Sequence, residues 1–269
     1  MSSNITRERL NQLVTLSRKA GQAILEVYKQ DFEVEHKADA SPLTQADLAA
    51  HRIICQGLAE LDPDTPVLSE ESAEIPFSQR SQWNEYWLVD PLDGTKEFVN
   101  RNGEFTVNIA LILDHAPVMG VVHVPVTGRT YFSARGIGAF RRDGDTNAVE
   151  ISTRQPAATP LVVVGSRSHA NPDLEKRLST IGQYELVSMG SSLKFCLIAE
   201  GKADFYPRLG LTSEWDTAAA QAVVEAAGGR VTTLDGKTLP YNRKDSLLNP
   251  YFLVFGDTGR DWPRLMAAD

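Results

Sequence analysis

The pattern of apolar residues changes once along this chain of 269 residues, and the change restricts the folds it can adopt. From Phe105 to about residue 151, short apolar runs alternate with turn residues, as in "FTVNIALILDHAPVMGVVHVP" and "TGRTYFSARGIGAFRR". This spacing predicts an antiparallel meander of strands. After the proline- and alanine-rich stretch "TRQPAATP", runs of strand length alternate with runs of helix length. That alternation predicts an α/β arrangement in the second half.

Two helices are predicted before the meander. In "TRERLNQLVTLSRKAGQAILEVY" the apolar residues recur at helical spacing, with Thr6 as N-cap and Glu8 in the first turn. The second helix is predicted to start at "TQADLAAHRIICQGLAEL", with Thr44 as its N-cap. We therefore predict an α/β (α+β) fold with an antiparallel N-terminal sheet, an α/β C-terminal half and a domain boundary near Gln155, giving domains 1–155 and 156–269.

Composition excludes several classes of protein. The formal net charge is -8, which disfavours nucleic-acid binding because that function needs a basic face. No apolar run approaches the roughly 20 residues of a membrane span, and the polar start "MSSNITRERL" lacks the apolar core of a signal peptide. The two cysteines, Cys55 and Cys196, lack metal-binding spacing and are interpreted as reduced thiols. We expect a cytoplasmic protein.

Asp90 and Asp93, in "WLVDPLDGTKEF", are two aspartates directly after an apolar strand that is predicted to end at Asp90. A half-buried carboxylate is unfavourable by several kcal/mol unless it is paired or binds metal. Gly94 permits a close backbone approach, and Thr95 is predicted to open a helix whose free N–H groups suit phosphate. The stretch therefore predicts a hard-cation site that also holds phosphate.

Other acidic residues have ordinary explanations when each is taken alone. Asp47 could cap the second helix, Glu70 and Glu71 could form a solvated loop, and Asp216 could favour the dipole of its helix. Taken together, these segments offer carboxylates at separate points of the chain. Such a set suits divalent cations that activate water and hold phosphate.

Three motifs, "SEES", "DPLDGTKEF" and "EWDTAAA", occur in an order and at a spacing that resemble the inositol monophosphatase superfamily. The resemblance covers nearly the whole chain and implies a layered αβαβα fold and an Mg²⁺-dependent, Li⁺-sensitive phosphomonoesterase. Within that superfamily "DGTKEF", "GSRSH", "SSLKFCLIAEG" and "YPRLG" are similar to the 3′(2′),5′-bisphosphate nucleotidases of the CysQ type. These remove the 3′-phosphate of adenosine 3′,5′-bisphosphate, a by-product of sulfate activation, to give AMP. Leu211 stands where that pattern has a proline.

The resemblance implies roles for individual residues. Two or three Mg²⁺ ions would be bound, the first by Glu70, Asp90 and the carbonyl of Leu92, the second by Asp90, Asp93 and Asp216. Asp47 and Thr95 would polarise the attacking water, and Glu71 would support that network.

The substrate would be contacted from both halves, with the C-terminal domain completing the site and binding the nucleotide. The loops supply backbone N–H groups and cations at strand ends, where α/β proteins bind ligands. The predicted substrate-binding residues are Gly94, Thr95, Lys96, Ser166, Arg167, His169, Ser191, Lys194, Arg208 and Asp216.

Two alternatives stay open. One is a phosphatase for inositol or other sugar phosphates with the same metals, which Lys96 and the motifs "SRSH" and "SSLKF" disfavour. The other is a regulatory interaction protein in which catalysis is secondary. A monomer and a homodimer are equally compatible with the sequence.

Overall fold

The structure is a computed structural model that describes residues 5–30, 42–166, 177–178 and 181–266. The described helices are α1 (Arg7–Tyr28), α2 (Pro42–Leu61), α3 (Phe77–Arg80), α4 (Thr95–Val99), α5 (Leu193–Ala199), α6 (Glu214–Ala226) and α7 (Trp262–Leu265), with a 3-10 turn at Glu70–Ser72. The described strands are β1 (Val67–Ser69), β2 (Glu85–Asp93), β3 (Thr106–Leu113), β4 (Ala116–Val124), β5 (Arg129–Ala134), β6 (Gly138–Asp143), β7 (Val149–Glu150), β8 (Leu161–Ser166), β9 (Tyr184–Met189), β10 (Phe205–Arg208), β11 (Arg230–Thr233) and β12 (Phe252–Phe255). None of the described helices is long and apolar enough to cross a membrane.

Strands β1 to β7 form one sheet in chain order. β1 pairs with β2 in parallel, and every later neighbour pairs antiparallel, so the predicted meander is confirmed. Hairpins allow this order because consecutive antiparallel strands need only short turns. The β3–β4 turn at Asp114 and His115, for example, uses two residues with positive φ.

The second sheet has the order β11-β12-β10-β8-β9. β8 pairs in parallel with both β9 and β10, whereas β12 is antiparallel to its two neighbours. The α/β prediction for the second half is confirmed, with an antiparallel edge added to it.

Three clusters of buried hydrophobic residues show that the helices and the two sheets form five layers. Helices α1 and α2 cover one face of the first sheet through residues such as Leu13 and Ile54. Helices α5 and α6 lie between the two sheets, and α7 covers the outer face of the second sheet with Trp262. The αβαβα prediction is confirmed. The middle cluster joins residues of both halves, and the division near Gln155 remains a prediction.

Helix α1 begins at the N-cap predicted from the sequence, whereas helix α2 does not. Thr6 caps α1, accepting a hydrogen bond from Arg9 N at 3.1 Å as predicted. The prediction that Thr44 caps α2 is wrong, because the helix already begins at Pro42. Proline suits a first helical turn, where its missing N–H removes no hydrogen bond. Asp47 therefore lies inside the helix and is not part of a capping box.

Strand β2 also differs from its predicted extent. It does not end at Asp90 but continues to Asp93, with a register shift against β3 between the two aspartates. A bulge of this kind re-aims side chains, and Gly94 then turns the chain into α4 with φ of 97°. The predicted helix at Thr95 is confirmed, although it has only five residues.

Candidate active site at the carboxylate cluster

The five predicted carboxylate positions come from four different parts of the fold. Asp47 lies in α2, Glu70 follows β1, Asp90 and Asp93 lie on β2, and Asp216 lies in the first turn of α6. Mutual electrostatic effects connect them: Asp93 raises the pKa of Glu70, Asp90 and Asp216. The fold therefore brings the predicted carboxylates together.

Asp93 is held through one of its two oxygens. Its Oδ2 accepts hydrogen bonds from Ser192 N at 2.6 Å, Ser192 Oγ at 2.8 Å, Asn108 Nδ2 at 3.3 Å and Thr106 Oγ1 at 3.4 Å. Among the described residues, Oδ1 has no such donor. Asp93 is thus fixed in orientation while one oxygen stays available to a ligand.

Asp216 combines a structural contact with a site position. Its Oδ2 accepts a hydrogen bond from Ser213 N at 2.8 Å, which caps the start of α6. Asp216 thus has a structural capping role in addition to the helix-dipole role predicted from the sequence, and its other oxygen stays available for a second role. The main-chain oxygen of Asp216 accepts a hydrogen bond from Ser192 Oγ at 2.7 Å.

Burial and repulsion raise the pKa of most of these carboxyl groups. Desolvation, then Glu71 and Glu70, raise the pKa of Asp47 to about 8. Desolvation followed by Asp93 raises the pKa of Asp216 to about 8, and the same pair of causes raises that of Asp90 well above its ordinary value. Glu70 is solvent-exposed as a residue, yet protein around its carboxyl raises the pKa to about 7. Acids this close repel unless protons or cations compensate them.

The donor set fits a hard divalent cation. Oδ1 of Asp47 is buried without a hydrogen-bond partner among the described residues, and no hydrogen bond joins it to Thr95. Carboxylate oxygens are the donors that Mg²⁺ prefers. Within the described ranges, no group of three or more acidic, histidine or cysteine side chains is already arranged to bind a metal ion. The carboxylate oxygens of the cluster and the unpartnered Oδ1 of Asp47 are therefore what make these residues suitable for Mg²⁺.

A cleft of about 210 Å³ opens beside Asp93 and Asp216. It contains most of the predicted substrate-binding residues, which come from both halves of the chain. Those lining it are Gly94, Thr95, Lys96, Ser191, Lys194 and Arg208. Ser166 ends β8, while Arg167 and His169 lie outside the described residues.

Lys194 and Arg208, two of the cations that line the cleft, differ in their burial and contacts. Lys194 is 7% exposed, its Nζ donates to Ser191 O at 2.7 Å, and it lies 5.6 Å from the Tyr206 ring centroid. Desolvation lowers the pKa of Lys194 to about 8. Arg208 donates to Leu211 O at 2.9 Å, and its Nε is buried without a partner in the described structure.

Several residues at the site were not identified from the sequence. Ser192, Asn108 and Thr106 hold Asp93, while Tyr206 and Phe252 form the apolar wall of the cleft. Ser192 was detectable as the neighbour of the predicted Ser191. Asn108 had a weaker signal, a polar residue inside the apolar strand "TVNIALIL".

Comparison with known proteins identifies the family. The model of the inositol monophosphatase family matches residues 6–257. This chain belongs to the inositol monophosphatase family.

Within this family, the chain is similar to proteins named CysQ. The chain is 50% identical over 247 residues to the 3′(2′),5′-bisphosphate nucleotidase CysQ of Salmonella typhimurium, covering 91% of this chain and 98% of that protein. Among solved structures, it resembles CysQ from Bacteroides thetaiotaomicron at 42% identity and a TM-score of 0.82, covering 91% of this chain and 97% of that one. An inositol monophosphatase from Zymomonas mobilis matches at 22% identity and a TM-score of 0.78, covering 98% of each chain, and shares the fold.

The acidic cluster of this family member predicts a pH-dependent stability. Folded pKa values of about 7 to 8 exceed the value near 4 expected for unfolded carboxyls, so the cation-free folded state holds extra protons across that range. Its free energy of unfolding should fall as pH rises through this window. We expect the melting temperature in EDTA to fall by ~3 °C or more between pH 6.5 and 8.0.

Differential scanning fluorimetry would measure this shift. The lower limit avoids the buried His123, whose pKa of about 4 would add an opposite slope below pH 6.5. Asp47→Asn should flatten the profile, and added Mg²⁺ should raise the melting temperature most at pH 8.0. A wild-type profile as flat as that of the variant would contradict the prediction.

Proposed function

We propose that this protein is an Mg²⁺-dependent 3′(2′),5′-bisphosphate nucleotidase that removes the 3′-phosphate of adenosine 3′,5′-bisphosphate and releases AMP and phosphate. The observation that carries the proposal is one cleft lined by both acids and cations, Asp93 and Asp216 together with Lys194 and Arg208. A substrate with two phosphates needs both kinds of side chain. The name of the Salmonella typhimurium relative, a 3′(2′),5′-bisphosphate nucleotidase, supports this substrate class.

The proposed cation ligands are Glu70, Asp90, Asp93, Asp216 and the carbonyl of Leu92, for two or three Mg²⁺ ions. Mg²⁺, when bound, lowers the pKa of water and neutralises phosphoryl charge. The backbone of Leu92 is held next to the Asp90 carboxylate, because the Leu92 N–H donates a hydrogen bond to Asp90 Oδ1 at 3.0 Å.

The chain's own groups account for the remaining chemistry. Asp47 and Thr95 polarise the attacking water, whose proton passes to the unpartnered Oδ1 of Asp47, and Glu71 supports this network. The water oxygen bonds to phosphorus as the bond from phosphorus to the 3′-oxygen breaks, and the departing 3′-oxygen takes up a proton from solvent water to become the 3′-hydroxyl of AMP. Backbone N–H groups of Gly94 and Thr95 steady the phosphoryl oxygens, and Lys96 lies at the edge of the same cleft.

The second phosphate is proposed to lie against Lys194 and Arg208. Both side chains line the cleft, and Nζ of the buried Lys194 lies 5.6 Å from the Tyr206 ring centroid. Ser191 and the strand end at Ser166, with Arg167 and His169, complete the proposed nucleotide contacts.

Phosphate release with Mg²⁺ tests the proposed function. We expect strong preference for adenosine 3′,5′-bisphosphate over inositol 1-phosphate, and inhibition by Li⁺. Preference for inositol phosphate would replace the nucleotide proposal with the sugar-phosphate alternative. No hydrolysis of either compound would favour the interaction protein.

The two free cysteines support a cytoplasmic location, and a monomer or homodimer stays a prediction.

Lys194→Met separates the two phosphates of the substrate. It removes the buried charge but keeps a long apolar side chain against Tyr206. We expect kcat/KM for adenosine 3′,5′-bisphosphate to fall by ~10-fold or more, chiefly through KM, as a charged hydrogen bond is lost. Hydrolysis of adenosine 3′-monophosphate should change little, because it lacks the second phosphate.

Steady-state phosphate assays on both nucleotides measure the contrast. Lys202→Met, at an exposed lysine 53% accessible in its side chain, is the matched control. Equal losses on the two substrates would place Lys194 at the scissile phosphate or in the fold instead.

A further inference from the structure

Ser192 lies where the two halves of the molecule meet. It directly precedes α5 and follows Ser191, whose φ of 44° turns the chain into the left-handed region. Ser192 is 1% exposed, so its hydroxyl faces protein rather than solvent. Three of its partners belong to different elements, β2, β3 and α6.

The contacts of Ser192 connect two of the proposed cation ligands. Its N–H donates to Asp93 Oδ2 at 2.6 Å, and its Oγ lies 2.8 Å from the same oxygen and 2.7 Å from Asp216 O. Asn108 Nδ2 donates to Ser192 Oγ at 2.9 Å. A single residue thus contacts the side chain of Asp93 and the backbone of Asp216.

The hydrogen-bond inventory shows what the hydroxyl adds. A serine hydroxyl has one proton and two lone pairs. Asp93 Oδ2 at 2.8 Å and Asp216 O at 2.7 Å both lie within reach of that proton, so the two acceptors share it, while a lone pair accepts from Asn108. The hydroxyl therefore links the side chain of Asp93 to the first turn of α6.

We propose that Ser192 is a positioning residue that sets the separation of Asp93 and Asp216, and with it the affinity for the cation these two carboxylates share. The inference rests on the proposed function for the existence of that cation. Ser192 acts through the two aspartates and not on the substrate. It keeps a pair of mutually repelling acids at a fixed distance before any cation binds.

Ser192→Ala removes only the hydroxyl, while the main-chain N–H continues to hold Asp93. Calorimetric titration of cation-free protein with Mg²⁺ provides a readout that needs no substrate. Outer groups that orient ligands typically change metal affinity 10–100-fold, so we expect about a 10-fold weaker affinity in one of the two binding steps, that of the site formed by Asp93 and Asp216. The other step, proposed for Glu70, Asp90 and Leu92, should stay nearly unchanged because Ser192 is hydrogen-bonded to none of these three residues.

Kinetics and controls distinguish this role from a general loss of structure. The Mg²⁺ concentration for half-maximal activity should rise by a similar factor, while kcat at saturating Mg²⁺ is retained. Ser17→Ala makes the same change at a buried serine of α1, whose Oγ bonds Val14 O at 2.9 Å, and should leave Mg²⁺ affinity unchanged. Ser192→Cys keeps a weak donor and should give an intermediate affinity.

Unchanged Mg²⁺ affinity in Ser192→Ala would overturn the proposal. Equal weakening of both binding steps, or equal weakening in Ser17→Ala, would also overturn it, because either indicates general destabilisation. Wild-type protein that binds no Mg²⁺ would do the same. Failure to hydrolyse the nucleotide, with the calorimetric difference intact, would overturn only the proposed substrate.

Discussion

Asp93→Asn should abolish most of the activity while leaving the fold intact. The asparagine carbonyl can take the place of Oδ2 among its donors from Ser192, Asn108 and Thr106. The amide NH₂ then replaces Oδ1, and a donor there cannot bind a cation. We expect kcat/KM for adenosine 3′,5′-bisphosphate to fall on the order of 10²–10³-fold or more, as for loss of a main electrostatic group.

A stability measurement separates this result from misfolding. Asp93 raises the pKa of three neighbouring acids, so its neutralisation relieves repulsion, and the melting temperature in EDTA should stay level or rise. Asp114→Asn is the control, at an exposed turn position with φ of 50° that asparagine tolerates. Retained activity in Asp93→Asn, or a fall in its melting temperature, would argue against a cation ligand at this position.

Gly120→Ala is expected to be the most destabilising small substitution in the sheet. Gly120 lies on β4 directly under α6, and a Cβ there would stand 2.2 Å from Ala219 O and 2.8 Å from Ala222 Cβ. The main-chain oxygen of Ala219 cannot rotate away as the end of a flexible side chain can. The whole of helix α6 would therefore have to move away from β4 to make room for the added methyl group. We expect a loss of ~3 kcal/mol in the free energy of unfolding, or roughly 6–12 °C in melting temperature.

Urea and thermal unfolding would measure that loss. Because α6 carries Asp216, the folded fraction should also bind Mg²⁺ more weakly. Gly259→Ala is the control, since among the described residues its added Cβ would meet only the Asp257 carboxylate, a side-chain atom, at 3.2 Å. Equal melting temperatures for the two variants would show that β4 and α6 are not as tightly packed as described.

Local periodicity was sufficient for most of the fold. The hairpins from Thr106 to Asp143 and the strand–helix order of the second half follow from side-chain alternation, which is a property of neighbouring residues. The sequence also indicates the acidic site, because carboxylates directly after an apolar strand are unfavourable unless they are paired or bind a cation. It does not, however, reveal which oxygens face the site.

Tertiary structure decided what depends on residues distant in the chain. The spacing of Asp47 to Thr44 allows a helix cap when Asp47 is taken alone, but α2 begins at Pro42. Oδ1 of Asp47 has no hydrogen-bond partner among the described residues, and Glu71 and Glu70 act on the same carboxyl group. No local pattern marks such an orphaned atom, since its environment comes from other segments.

The sequence by itself determined which carboxylates and cations are available and that they lie on an α/β scaffold. The fold decided how they are held: Ser192 reaches Asp93 across 99 positions and the backbone of Asp216 across 24. Hydrogen bonds of this kind join atoms within about 3 Å wherever they lie in the chain, so they follow from packing and not from periodicity. Packing of α6 against Gly120 on β4 fixes the place of Asp216 for the same reason.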